Sequence, residues 1–358
     1  MKKHLRSGYT TGACAAAAAK GAALMLASQR SVSETTIELP TGAATFKIDG
    51  QTFSDAAAAC FVVKDAGDDP DVTNGVEVHA RVTRTVSYSA DAAKVFIAGG
   101  SGVGKVTKPG LAVAVGDWAI NPVPRRMIGD SVGDVIREFN IQNSILNVEI
   151  YIPDGEDRAK KTLNARLGIV GGLSILGTTG IVRAVSAKAW TDTIDAAVDV
   201  AKACNSENVV LSTGRSSEKA VQGCLQHLPE EAYVMMGDHV AYALRACAER
   251  GFMQPVVACQ FAKMLKIACG YENTHAVASE LDLEILYRWG VAAGFSAENL
   301  SIISGANTAR EIAVTSRFNR ELVSLVALKA AAAAAKHAPG IEIAPLLCGY
   351  DGSVVPTE

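Results

Sequence analysis

The chain has 358 residues, 49% of them hydrophobic and only 20% charged, which excludes a disordered or low-complexity protein and allows a full-sized core. A formal net charge of −3 excludes a global field that gathers nucleic acid or an anionic membrane, so any anionic ligand has to be met by local cations. Eight single cysteines, with no Cys-x-x-Cys and no zinc spacing to a histidine, read as reduced thiols of a cytoplasmic protein without a protein-bound metal.

In chain order, Leu5-Arg6-Ser7-Gly8-Tyr9-Thr10-Thr11-Gly12 is a polar, glycine-punctuated turn that runs into an alanine-rich helix. Thr10 or Thr11 caps it, because a hydroxyl there accepts from an unpaired N–H. The small residues that follow admit a close backbone or a flat ligand. An open helix start suits an anion; an ordinary capped core helix is the competing reading. Lys2, Lys3 and Arg6 before an apolar run imitate a secretory leader, but the polar turn and Lys20 interrupt it.

Residues 35–39 and 44–48 form a hairpin around Pro40-Thr41-Gly42. The apolar strand 60–63 delivers Lys64-Asp65-Ala66-Gly67-Asp68-Asp69-Pro70-Asp71-Val72-Thr73. Acids this dense repel one another and raise their pKa values, which suits proton transfer at Asp68 or Asp69. A solvated turn or a cation loop are the alternatives. Val76, Val78, Ala80 and Val82 alternate as in a half-buried strand.

Residues 95–98 then lead into Gly99-Gly100-Ser101-Gly102-Val103-Gly104-Lys105-Val106, close to a phosphate-binding loop. Val106 stands where a hydroxyl should hold magnesium, and Pro109-Gly110 stops the following helix, which counts against a nucleotide triphosphatase. A glycine loop donating N–H groups to another anion survives. Arg125 and Arg126 follow a proline-stiffened turn ahead of a helix at 131–139, as a bidentate anion clamp or as a surface pair. A strand at 146–152 ends in Pro153-Asp154-Gly155, the expected domain boundary.

Beyond it a helix at 156–167 leads into the glycine-rich, charge-free run between Arg166 and Arg183, which is too short to span a bilayer. Helices at 186–204, 217–227 and 239–250 then alternate with strands at 209–212, 233–236 and 255–259. Helices near 280–289 and 320–336 close the chain. The pattern predicts an N-terminal α+β domain over 1–155, with glycine-rich and acidic loops. It predicts a C-terminal, mostly parallel-sheet α/β domain of Rossmann-like type over 156–358. In such sheets ligands lie beyond the carboxyl ends of the strands, here at residues 177–180, 213–216, 237–239 and 263–270.

The motifs at 5–16, 64–73, 99–105 and 120–125, with Gly171-Gly172-Leu173-Ser174-Ile175-Leu176-Gly177-Thr178-Thr179-Gly180, resemble the CbiD family, the cobalt-precorrin-5B C-1-methyltransferases of cobalamin biosynthesis. The resemblance runs from residue 5 to about 290. Lys263, Lys266, Gly270, Thr274, His275 and Glu284 match it. Cys259-Gln260-Phe261-Ala262, where the family tends to read Gly-His-Ile-Gly, departs from it, as do Ser279-Glu280 and Asp282.

The resemblance implies S-adenosylmethionine as methyl donor and methylation of carbon 1 of a ring-contracted cobalt tetrapyrrole, giving cobalt-precorrin-6A. Neither an acidic-Gly-x-Gly-x-Gly turn nor a Gly-Pro-Gly-Asp-Pro loop is present, so the donor rests on the resemblance alone. The carboxylate rim of such a substrate suits Lys105, Arg125, Arg126 and the capped turn Thr10, Thr11 and Gly12. Glycine turns at Gly177, Thr178, Thr179 and Gly180 and at Thr213 and Gly214 suit the donor. His275, Asp68 or Asp69 is the candidate base, with the macrocycle expected in a cleft between the domains. A non-catalytic tetrapyrrole carrier and a phosphoryl-transfer enzyme using residues 99–105 are the competing functions. The expected partner is the small-molecule tetrapyrrole; neither nucleic acid nor membrane is expected, and a homo-oligomer is left open.

Overall fold

A computed structural model describes residues 5–86, 93–184 and 186–355. The chain separates into two compact units, Met1–Ser186 and Ala187–Glu358. The divide falls after the turn at 153–155 because the segment that follows returns to pair with the first unit, as its strands show below.

The first unit runs β1 (Gly8–Tyr9), α1 (Thr11–Ser28), β2 (Glu34–Leu39), β3 (Gly42–Lys47), β4 (Asp49–Phe53), β5 (Ala57–Val63), β6 (Glu77–Val86) and β7 (Lys94–Gly99). It continues through β8 (Gly102–Val103), β9 (Lys105–Val106), α2 (Pro122–Glu138), β10 (Ser144–Tyr151), α3 (Gly155–Ala159), β11 (Ile169–Val170), β12 (Gly172–Leu173) and β13 (Ile181–Val182). A five-stranded sheet of order β4-β5-β6-β10-β7 is antiparallel except where β10 meets β7.

The period-two alternation buries Ala58, Cys60, Val62, Val78, Ala80, Val82, Val148 and Ile150 on the face that α1 covers. From Ala13 to Ala19 every residue of α1 is at most 1% exposed. Alanine leaves room for close approach, and Thr35 and Cys60 reach its backbone carbonyls at Ala17 and Ala18, each at 3.2 Å. By length and composition α1 is apolar enough to cross a membrane, but 78% of it lies buried inside the protein. It is the core helix of this unit.

β2 and β3 form the expected hairpin. Three short pairs draw in the later segment: β12 beside β8, β11 beside β9 and β13 beside β1. Two helices differ from expectation. α2 starts at Pro122 rather than near 131, because proline in a first turn loses no intrahelical hydrogen bond. Arg125 and Arg126 therefore sit in its opening turns. α3 stops at Ala159, where Thr162 and Asn164 begin to bond neighbouring backbone instead of extending the helix.

The second unit runs α4 (Ala187–Ala203), β14 (Val210–Ser212), α5 (Arg215–Cys224), β15 (Tyr233–Met235), α6 (Val240–Glu249), β16 (Val256–Gln260) and α7 (Phe261–Ala268). Then come α8 (Leu283–Ala293), α9 (Ala297–Gly305), α10 (Ala309–Thr315), α11 (Arg320–His337), β17 (Ala344–Cys348) and β18 (Val354–Val355). Its sheet has the order β15-β14-β16-β17-β18, parallel apart from the last pair. Val210, Leu211, Val257 and Ala258 are fully buried, the continuous apolar reading of a strand covered on both faces.

Candidate functional site

The carboxyl ends of β14, β15 and β16 gather the second unit's polar residues. Met236 and Gly237 donate their N–H groups to the Ser212 carbonyl at 2.9 and 3.3 Å, which laces two strand ends together. Trp190 donates its indole N–H to Met236 at 3.0 Å and lies flat beside Gly237, where a Cβ would meet its ring at 2.7 Å. Gly237, with φ of 59°, is glycine for both reasons.

Asp238 comes next and is the hub. Its Oδ1 accepts from Lys263 and, at 2.7 Å, from the Thr274 hydroxyl, while its Oδ2 has no partner among the described residues. Its carbonyl accepts the Thr274 N–H at 2.9 Å. Lys263 and Lys266, one turn apart on α7, both donate to the Thr274 carbonyl, at 2.9 and 3.1 Å. Burial pushes the Asp238 carboxyl up, but the Lys263 and Thr274 hydrogen bonds outweigh it and hold the group below the ordinary carboxylate range. Burial, with the neighbouring Lys263 charge, lowers Lys266. The result is a fixed carboxylate offering one open oxygen beside two ammonium groups.

Beside it, Thr213 and Gly214 lead into α5. Gly214 faces open space, α5 has no side-chain cap, and the buried Ser212 hydroxyl has no partner among the described residues. Backbone N–H groups of the first turn are left to donate to a ligand's oxygen. His275 follows Thr274 and is exposed. Its Nδ1 accepts the Val277 N–H at 3.2 Å, so the neutral ring carries its hydrogen on Nε2 and presents a donor, not a proton acceptor.

The remaining expected residues lie in the first unit. Thr10 is the N-cap of α1, accepting from Ala13 at 3.2 Å. The start of α1 is not open: Gly12 donates to Leu176, and the Thr11 hydroxyl exchanges hydrogen bonds with Ser174 and Leu176. Residues 177–180 belong to this contact. Thr10 donates its N–H to Gly180 at 3.0 Å, and a Cβ on Gly177 would strike the Thr10 side chain. Gly177 and Gly180, on either side of Thr178 and Thr179, therefore serve the start of α1, while Thr213 and Gly214 stand in the other unit. The two turns expected to form one donor site do not belong to one unit.

The glycine loop departs from expectation too. Gly100 and Gly104 donate to Ile150 and Leu173, and a Cβ on Gly102 would collide with the Ile152 carbonyl. Gly102 serves backbone-on-backbone packing, Gly99 makes room for the Trp118 ring, and the N–H groups of Gly100 and Gly104 are already spent, which removes the phosphate cradle. Lys105 lies over the Trp118 ring, 4.5 Å from its centre.

In the acidic loop the charges are paired, not mutually repelling. Asp65 pairs with Arg6, Asp68 accepts the Arg6 N–H at 2.8 Å, and Asp71 pairs with Lys64 at 2.7 Å. The Arg6 hydrogen bond lowers Asp65; in Asp71 burial is outweighed by hydrogen bonds from Lys64 and Thr73. The expected upward shift is thus reversed at both. Asp69 lies in the same turn. Arg125 donates to Ile97 at 3.0 Å, and Arg126 is exposed. Arg125 and Arg81 border a hollow of about 740 Å³ floored by Val95, Phe96, Ile97 and Ala98. Among the described residues no group of three His, Cys, Asp or Glu side chains is placed to hold a metal.

Asp238 and Lys64 carried too little local signal to be named as site residues. Asp238 is a lone acid after a strand, and Lys64 stands in the sequence as the first residue of the acidic loop, with nothing local to show that the fold buries it. Lys263 and Lys266 were visible as motif matches within the strand-end stretch 263–270, and Thr274 as a motif match alone.

The family model described as CbiD matches residues 1–184, and the one described as CbiD, C-terminal domain, matches 273–357. A cobalt-precorrin-5B C(1)-methyltransferase of Pelobacter propionicus is 56% identical, covering 98% of this chain and 95% of its own. Those of Geobacter metallireducens and Geobacter sulfurreducens are 56% and 57% identical, each covering 99% of this chain and 98% of its own. A crystal structure of a cobalamin biosynthesis protein (cbiD) from Archaeoglobus fulgidus is 27% identical, covering 73% of this chain and 78% of that one, with a TM-score of 0.39. Matched by that model over more than half its length, and by these relatives almost from end to end, the chain belongs to the CbiD family.

Proposed function

We propose that the chain is a cobalt-precorrin-5B C(1)-methyltransferase that takes its methyl group from S-adenosylmethionine. The observation that carries this is identity of 56–57% over 98–99% of the chain to relatives of that name. Eight free cysteines fit work in the reducing cytoplasm.

The second unit, read as a Rossmann-like layer, fits the donor at its strand ends. Thr213, Gly214 and the uncapped first turn of α5 hold its carboxylate, and the open Oδ2 of Asp238 accepts from a hydroxyl. Bound there, the donor supplies an already activated methyl group on a sulfonium. Lys263 and Thr274 keep the Asp238 carboxylate ionised and aimed, and Lys266 braces Thr274 through its carbonyl. In the first unit, the 740 Å³ hollow is of ligand size, with Arg81 and Arg125 at its border to meet the macrocycle's carboxylates. Arg126, exposed on the opening turns of α2, adds a further cation. The macrocycle's own enamine-like carbon is the nucleophile, so the protein contributes alignment and a dry surface more than a reactive side chain.

Incubation with methyl-labelled S-adenosylmethionine and the tetrapyrrole, read by mass spectrometry, should add one labelled methyl. Tight macrocycle binding without any labelled product would establish a carrier instead. Arg126→Ala should raise the KM for the tetrapyrrole several-fold while the melting temperature holds, since an exposed side chain contributes little to stability.

A further inference from the structure

We propose that a small cavity under Thr10 in the first unit is a carboxylate-binding site built on Lys64. The cavity, of about 200 Å³, is lined by Lys64, Asp71, Thr10, Thr73, Asn164 and Ser174 among others. It has room for a carboxylate on a short stem, and is too small for a macrocycle or a nucleoside.

The side chain of Lys64 is 1% exposed. Its ammonium carries three N–H groups, yet Asp71 Oδ2 at 2.7 Å is its one partner among the described residues. Asp71 is satisfied elsewhere: its Oδ1 takes the Thr73 N–H and hydroxyl, each at 2.7 Å. The Thr10 hydroxyl accepts from Ala13 and keeps its own hydrogen to give. Asn164 donates to Gly172 at 3.1 Å and holds a second amide hydrogen in reserve. Two N–H groups of Lys64, the Thr10 hydroxyl and one Asn164 amide hydrogen are thus left to give around this space, and a group that brings acceptors completes them. α1 begins beside it with Thr10 as its cap, and the positive end of its dipole adds to Lys64 against the single charge of Asp71. A buried ion pair is poor at adding stability, whereas an ammonium held dry with unused donors binds anions well.

The source of the carboxylate rests on the methyltransferase reading: with the donor's own carboxylate placed at Thr213 and Gly214, it is one arm of the macrocycle rim. The pocket itself is tested without that reading. Acetate binding is measured by calorimetry against chloride at equal ionic strength, in the wild-type chain, Lys64→Met and Asp71→Asn. Lys64→Met should weaken acetate about tenfold, the loss of one charged hydrogen bond. Asp71→Asn should strengthen it by a similar factor, because the competing carboxylate is gone. A purely structural pair predicts that neither variant alters acetate binding, which would overturn the proposal. If Lys64→Met does not fold, Asp71→Asn, which keeps the lysine packed, decides alone.

In the methyl-transfer assay, a rise in KM for the tetrapyrrole in Lys64→Met assigns the pocket to the rim. An unchanged KM for the tetrapyrrole, or a rise for S-adenosylmethionine alone, would overturn that assignment. If the wild-type chain transfers no methyl group, the methyltransferase reading fails while the acetate result stands.

Discussion

Asp238 holds its place through bonds that no stretch of sequence near it announces. Lys263 and Thr274 both bond its Oδ1, so replacing the charge with an amide leaves two lysines facing each other without a counterion. Asp238→Asn should cost about 1.5–3 kcal/mol in urea unfolding, the range for a hydrogen bond to a charged group, and should weaken donor binding as well. The cysteines give a second residue-scale expectation. Burial pushes the thiols of Cys14, Cys60 and Cys247 up to about 12 and that of Cys348 to about 11, with Cys259 raised further. Cys224 is exposed. Iodoacetamide followed by peptide mass spectrometry should modify Cys224 first and leave these five until the chain unfolds.

At the scale of elements, the glycine loop shows how one composition serves two ends. Gly102 and Gly171 both have positive φ, 71° and 86°, so alanine at either meets a similar backbone strain. Around Gly171 a Cβ would find open space, whereas at Gly102 it would collide with the Ile152 carbonyl. Gly171→Ala should cost about 1–2 kcal/mol, and Gly102→Ala considerably more, to the point of preventing folding. Equal costs in chemical denaturation would show that Gly102 is not packed as described. Much of this level was legible beforehand. The cap at Thr10, the hairpin and the alternating strands and helices of the second unit follow from local chemistry and period. α2 was misread because Pro122 and Pro124 resemble a turn, and β17 was missed because Pro345 argues against a strand.

Across the whole molecule, the carboxylates that matter are stabilised in their charged form. Asp65 and Asp71 in one unit and Asp238 in the other all lie below the ordinary carboxylate range. The unfolded chain then binds more protons than the folded one as the pH falls past about 4. Their contribution to stability is fully present above that value and lost as pH drops through the folded pKa values. Calorimetry should show a nearly level melting temperature from about pH 5 to 7 and a steep fall below about pH 4.

Sequence by itself determined most of the elements and the family, because caps, periodicity and long motifs are local properties that survive without knowledge of neighbours. Tertiary structure decided what each polar motif is for. The glycines at 99–104 and 177–180 read as ligand cradles until their N–H groups and missing Cβ atoms are seen to meet Ile150, Leu173, Ile152 and Thr10. The acids of the 64–71 loop read as mutually repelling until Arg6 and Lys64 are placed among them. Lys64 and Asp238 show the physical reason. Whether a charge is solvated, paired or held dry with donors to spare depends on groups distant in the chain, and only folding sets those distances.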